Sequence, residues 1–285
     1  MPNILMAGAT GKIGRLVAAG LIERGEHPTA IVRNHEKAAA VLGTGPTLIE
    51  ADLADASALA RVTGDFDVAY LATGQVQDQV EIEKNFIDAA AKLGIGRVVK
   101  ISAYGRADAR LVFNRWHNEI EAHLYCTGMA ATILRPNGFN DNLLGSAVTI
   151  KHGQIYSTTG TGKVAWTDTR DIAAVAIEGL LDATHAGRTY TITGPELLDF
   201  DQVAGLFTEV LGQPVAHVGI DDATFTTSLA QAGLPDWMNQ AYVEMYAAIR
   251  DGYLEDLSTD VTKVLSRQPI ALASWIADNA AAFRP

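Results

Sequence analysis

The chain has 285 residues, 48% hydrophobic and 19% charged, a balance that suits a folded protein of one or two domains whose core needs no disulfide or metal staple. Its single cysteine, Cys126, excludes an intrachain disulfide and favours a reducing cytoplasm. A net charge of −11, with no basic cluster, argues against a nucleic-acid partner; no run is long enough to span a bilayer, and the first residues lack the basic segment and apolar core of a signal peptide.

In chain order, residues 3–7 read as a short buried strand. The turn Gly8-Ala9-Thr10-Gly11-Lys12-Ile13-Gly14 follows, then a helix over 15–24 with apolar residues at 3.6-residue spacing, then a strand at 29–32 that ends at Arg33. Strand, glycine turn, helix and strand open a dinucleotide-binding unit. Gly8 would permit the sharp turn, Gly11 the approach of a pyrophosphate, and Gly14 close packing of the helix. Thr10, Lys12 and Ile13 complete the candidate phosphate cradle at a helix N-terminus, where unpaired N–H groups and a partial positive charge favour anions.

Next come a helix at 35–42 and a strand at 47–50 with Asp52 and Leu53 just past its end. A short helix at 57–62, a strand at 68–71 closed by Ala72-Thr73-Gly74, and a long helix at 78–93 follow. A strand at 97–101 delivers Ser102, Ala103 and Tyr104. A helix at 111–126 and a strand at 131–135 lead into Pro136-Asn137-Gly138-Phe139. Such alternation predicts an α/β fold: a Rossmann-type, doubly wound parallel sheet with a smaller, mostly helical C-terminal region. Ligands of such sheets sit at the carboxyl ends of the strands, which makes the strand-end residues the cofactor candidates.

Past Pro136 the pattern predicts short strands at 154–157 and 163–166, a helix at 171–181 with Thr169 as its cap, and a strand at 189–193. Helices at 200–211, 221–232, 237–250 and 272–283, and a strand at 215–218, complete the chain. The expected division is a nucleotide-binding domain, 1–142 rejoined by 169–194, and a substrate-side region, 143–168 with 195–285. Arg33 stands where an NAD-preferring site usually carries Asp or Glu, and a guanidinium binds a 2′-phosphate that a carboxylate repels, so NADP(H) is preferred over NAD(H). Asp52 either reaches the adenine amine or caps the next helix. No His, Cys, Asp and Glu set has metal-ligand spacing, and no G-x-S-x-G elbow marks a Ser-His-Asp hydrolase.

With these residues placed, the chain resembles the NmrA-like branch of the atypical short-chain dehydrogenases/reductases, nearest in appearance to the NAD(P)H:quinone oxidoreductases and triphenylmethane reductases. The resemblance runs through GATGKIG (8–14), IVRNHEKA (31–38), GRVVKISAYG (96–105), HNEIEAHL (117–124), TILRPNGFNDNL (132–143) and RTYTITGPELLDFDQVA (188–204). It implies a Rossmann sheet plus a smaller C-terminal region with the substrate cleft between them. It also implies that His117 occupies the lysine position of the superfamily Tyr-x-x-x-Lys pair, Phe113 the tyrosine position, and Ser102 or its neighbour Ala103 the serine. The catalytic candidates are thus His117, Ser102 and Tyr104, with His117 also reaching the nicotinamide ribose and Pro136, Asn137 and Phe139 facing the nicotinamide.

Phe113 cannot donate a proton. Reducing an ordinary ketone needs an acid, whereas a quinone or other electron-poor conjugated acceptor gives a delocalised product. The expected activity is therefore NADPH-dependent hydride transfer to an apolar or aromatic small molecule by a cytoplasmic monomer or homodimer. The rival expectation is a non-catalytic NADP(H)-binding redox sensor that acts through a protein partner.

Overall fold

The computed structural model describes residues 1–105 and 109–284. The chain begins β1 (Ile4–Ala7), α1 (Lys12–Glu23), β2 (Thr29–Val32), α2 (His35–Leu42), β3 (Thr47–Glu50), α3 (Ala56–Leu59), β4 (Val68–Leu71), α4 (Gln79–Lys92), β5 (Arg97–Ile101), α5 (Val112–Cys126) and β6 (Ala130–Pro136). It continues through α6 (Ala147–Lys151), β7 (Gln154–Ser157), α7 (Thr169–Leu181), β8 (Thr189–Ile192), α8 (Phe200–Leu211) and β9 (Ala216–Gly219). The last helices are α9 (Asp222–Gln231), α10 (Asp236–Arg250), α11 (Asp260–Leu265), α12 (Leu272–Asp278) and α13 (Ala280–Phe283).

Seven strands form one sheet in the order β3-β2-β1-β4-β5-β6-β8, and the pairings from β3 through to β6 are parallel. This is the doubly wound α/β sheet that the alternation predicts. β1 and β4 are buried at every position, as strands covered on both faces must be. The chain builds outward from β1 through β2 to β3, then returns to add β4, β5 and β6 on the other side. The order therefore reverses between β1 and β4, the place where such sheets bind ligands.

The helices owe their seats to apolar stripes. α1 buries Ile13, Gly14, Val17, Ala18 and Leu21. α5 buries Phe113, Asn114, His117, Ile120, Glu121 and Leu124, so two ionisable residues share its inward face with the apolar ones.

Two compact units result. The first holds Met1–Ala103, Phe113–Arg135 and Ile172–Tyr190, and its core includes Leu5, Leu71, Phe86, Ile120 and Ile133. The second holds Pro136–Asp171, the stretch from Thr191 on, and the described residues of Tyr104–Val112. Its core gathers Trp166, Phe200, Phe207, Trp275 and Phe283, and it carries a two-stranded parallel sheet of β7 and β9.

Several boundaries differ from the pattern reading. α7 starts at Thr169, so Thr169 is its first residue and not its cap; Asp168 takes that place and accepts the Arg170 backbone N–H at 2.8 Å. Residues 163–166 form only an isolated bridge between Val164 and Leu198. The predicted helix at 272–283 breaks at Asn279 into α12 and α13, and α6 and α11 are short helices with too few turns to show periodicity.

Candidate functional site

The glycine turn is built as the motif requires. Gly8 has φ +86°, a left-handed conformation that side chains resist, and a Cβ there would lie 1.6 Å from the Ala72 carbonyl oxygen. A Cβ on Gly14 would sit 2.1 Å from the Gly8 carbonyl oxygen, so α1 can approach the turn only without one. Gly11 differs. Its backbone is extended (φ −72°, ψ 171°) and a Cβ would meet nothing nearer than the Gly8 oxygen at 3.3 Å. Apart from that one close oxygen no protein atom comes within 4 Å of the added Cβ, and Gly11 brings no side chain to cap α1. Thr10, Gly11 and Lys12 are exposed and Ile13 is buried, which anchors the turn from below. Backbone donors, an uncapped helix start and open space suit a pyrophosphate.

The neighbouring strand ends are equally specific. Arg33 is exposed just past β2, while Asn34 caps α2 by accepting the Lys37 N–H at 2.8 Å and Glu50 accepts the His35 N–H at 2.9 Å. Asp52 is exposed and does not cap α3, which overturns the capping alternative. Asp55 does so, accepting N–H bonds from Ser57 and Ala58. Asp52 instead accepts the Ala54 N–H at 3.0 Å, and Leu53 is half-buried. After β4, Ala72 and Thr73 are half-buried and Gly74 has open space around it.

Beneath these ends lies a buried polar network. Lys100 in β5 and Glu83 in α4 are 0% exposed and form an ion pair, and His117 in α5 is 9% exposed. The Lys100 Nζ also donates to the Ile101 carbonyl oxygen at 3.1 Å and lies 3.3 Å from His117 Nδ1. Glu83 Oε1 accepts from the Thr73 hydroxyl at 2.7 Å and from Gln79 Nε2 at 3.0 Å. Burial pushes the Glu83 carboxyl up, but the Lys100 charge, the neighbouring His117 and the hydrogen bonds from Lys100 and Gln79 together outweigh it and hold the group below its usual range. Burial and the Lys100 charge push the His117 imidazole down to about 3, so it is neutral at physiological pH. Tyr70, fully buried in β4, is pushed well above the usual phenol range by burial and then by Glu83, and it keeps its proton.

Ser102 lies beside this network. Its hydroxyl donates to Glu121 Oε1 at 2.6 Å, and Arg135 pairs with the other Glu121 oxygen at 2.5 Å. Phe113, one turn before His117, packs edge-on against Trp116 with ring centroids 5.7 Å apart. Gly8, Thr10–Gly14, Arg33, Asp52, Leu53, Ala72–Gly74, Ser102, Ala103 and His117 thus all fall in the first unit.

Tyr104, Pro136, Asn137 and Phe139 fall in the second. The Tyr104 hydroxyl donates to Asp256. Asn137 is buried, donating to the Leu254 carbonyl oxygen at 3.0 Å, and Phe139 bridges Thr167.

A model of the NmrA-like family matches residues 2–274. The chain belongs to the NmrA-like family. An NAD(P)H azoreductase from Xenophilus azovorans is 33% identical over 282 residues, 98% of this chain and 99% of that protein. Quinone oxidoreductase 2 of Escherichia coli K12 is 28% identical over 277 residues, 96% of this chain and 97% of its own. Among solved structures, the Escherichia coli NADPH-dependent quinone oxidoreductase complexed with NADPH superposes with a TM-score of 0.89 at 28% identity, over 97% of this chain and 99% of that one. A Citrobacter sp. triphenylmethane reductase complexed with NADP(H) gives 0.88 at 24% identity over 98% and 100%, a likeness of fold.

In this NmrA-like chain the pattern reading passes over Lys100, Glu83, Glu121 and Arg135. A signal for the first two exists: Lys100 sits in the apolar strand run RVVKI, and Glu83 keeps phase with the buried α4 positions 79, 86, 87 and 90. The second unit also joins Ser157, His217 and Asp201, with Ser157 Oγ to His217 Nε2 and His217 Nδ1 to Asp201 Oδ1 both 2.9 Å. Ser157 is 0% exposed and bonded to Thr159 as well, so the trio fastens β7, β9 and α8 together and offers no nucleophile to a substrate. Among the described residues, no three His, Cys, Asp or Glu side chains could hold a metal, and no helix is long and apolar enough to cross a membrane.

Proposed function

We propose that this chain is an NAD(P)H-dependent oxidoreductase that transfers hydride to a quinone, an azo compound or another electron-poor conjugated small molecule. The observation that carries the reading is Phe113 buried one turn before a neutral His117, a pair with a hydrogen-bond donor and no acid. The full-length relatives, an azoreductase and a quinone oxidoreductase, support it. When bound, the reduced nicotinamide supplies the hydride.

The chain's own residues do the rest. The turn from Gly8 to Gly14 would hold the pyrophosphate, and Arg33 would donate to a 2′-phosphate more strongly than to a free hydroxyl, which favours NADP(H) over NAD(H). Thr73 and the other strand-end residues orient the ring, and His117 donates a hydrogen bond to the nicotinamide ribose or to the acceptor oxygen. Ser102 would buttress the site through Glu121. An acceptor that delocalises its new electrons needs positioning and no proton donor in the transition state. The acceptor is apolar or aromatic, and the reaction belongs to the cytoplasm.

The test is NADPH consumption against a panel of quinones, azo dyes, triphenylmethane dyes and simple ketones. Turnover confined to the conjugated acceptors, with a primary isotope effect from 4-deuterated NADPH, is the expected result. Tight NADPH binding with no acceptor consumed would return the chain to the sensor reading.

A further inference from the structure

An ammonium enclosed in the middle of a parallel strand must find acceptors for three N–H bonds, and Lys100 finds all three: the Glu83 carboxylate, the Ile101 carbonyl oxygen and His117 Nδ1. The ammonium has no lone pair to offer in return. His117 Nδ1 is therefore the acceptor in that contact, and the one hydrogen of the neutral ring belongs on Nε2. We propose that the Lys100–Glu83 pair locks His117 as the Nε2–H tautomer, which makes His117 a fixed hydrogen-bond donor and Lys100 and Glu83 its positioning residues. This deepens the function given above and rests on it only for what His117 faces.

The charges around the ring support the lock from each packed element. β5 brings Lys100, α4 brings Glu83, β6 brings Arg135, and α5 itself carries Glu121. Protonating His117 would set a second cation 3.3 Å from the Lys100 ammonium, with Glu83 to oppose both and Glu121 already paired with Arg135. Burial and the Lys100 charge agree, keeping the ring neutral. Glu83 is in turn tied to Thr73, so the lock is anchored in the loop that closes β4. A donor held in one tautomer stabilises negative charge as it develops on an oxygen, with no reorganisation and no proton passed. That is what hydride addition to a conjugated acceptor asks for.

The experiment reads the histidine rings of the intact protein, without NADPH, by two-bond ¹H–¹⁵N correlation, with His117→Gln assigning the peak. His117 should show the Nε2–H pattern, unchanged from about pH 8 to about pH 5, a range over which a free imidazole titrates. An Nδ1–H pattern or a titration near neutrality in the wild type overturns the proposal, and that measurement needs no variant. In Lys100→Met the Glu83 carboxylate keeps Thr73 and Gln79 but loses its cation, and the His117 midpoint should rise by more than one pH unit. The double variant K100M/E83Q removes the pair without stranding a charge, and His117 should then populate both tautomers. A folded double variant with the wild-type His117 pattern also overturns the lock. Because NADPH is absent throughout, failure here leaves the cofactor reading standing, and failure of NADPH binding leaves the lock standing.

Discussion

Arg33 shows how much one side chain is asked to decide. It is exposed past β2. Hydrogen bonds to a charged group are worth about 1.5–3 kcal/mol, so Arg33→Ala should weaken NADPH binding roughly tenfold to a hundredfold. NADH affinity should hold, and titrating both cofactors checks the difference; equal losses would remove Arg33 from the site. His117 makes a prediction about stability. In the unfolded chain it takes up a proton below about pH 6.5, whereas in the folded chain it resists protonation down to about 3. The unfolded state binds more protons across that window, so stability falls as pH drops through it, by at most about 1.4 kcal/mol per pH unit. His117→Gln should flatten that decline between about pH 6 and pH 5, while Glu83, with its carboxyl held low, adds its own loss only in more acid solution. Chemical denaturation of both proteins across this range measures the slopes.

At the scale of the element, the start of α1 separates folding from binding. Gly11 has an extended backbone that any residue adopts and a Cβ there would press only on the Gly8 oxygen at 3.3 Å, whereas a Cβ on Gly14 would overlap the turn at 2.1 Å. Gly11→Val should therefore stay folded, losing less stability than Gly14→Val, yet gain none from NADPH, which at 100 times its dissociation constant would add about 2.7 kcal/mol to a competent protein. Gly14→Val should lower the melting temperature, since overpacking of this kind costs about 1–3 kcal/mol. If NADPH still protects Gly11→Val, the pyrophosphate lies elsewhere. These glycines were legible because backbone geometry dictates residue type locally: only glycine fits at Gly8, and the strand before it and the helix after it declare themselves by period. Lys100 and Glu83 were less so: each stands at a buried position of its own element, but nothing within that element says what would neutralise its charge. Their reason for being buried is the other residue, brought close by the packing of α4 on β5. The Thr169 cap and the capping alternative for Asp52 failed for a related reason: several Asp and Thr residues stand near each helix start, and a shift of one residue (169 to 168) or three (52 to 55) decides which one caps.

For the whole molecule, the proposed chemistry turns on Phe113, which has no proton to give, standing one turn before a neutral His117. General acid catalysis contributes about 10² to 10⁴ in rate, so an acceptor that needs it should be reduced at least about a hundredfold more slowly than one that does not. Benzoquinones or azo dyes should turn over while unactivated aliphatic ketones do not, and kcat should vary little with pH around neutrality because His117 is already neutral there. Steady-state rates for the two classes across pH test both points; efficient reduction of a simple ketone would demand a proton donor other than the Phe113–His117 pair.

The strand order has a consequence for how the protein is made. β8 lies beside β6, with the Ile133 N–H bonded to the Arg188 carbonyl oxygen, yet between them the chain leaves to build much of the second unit. A nascent chain emerging from the ribosome can therefore assemble six strands while β6 still presents an open row of N–H and C=O groups. Until residues 189–192 arrive, that row is a template for any other extended segment. Closing it depends on contacts distant in sequence, which form slowly. Chaperone demand and aggregation during synthesis should therefore be greatest for chains truncated between 136 and 189, and should drop once β8 is included.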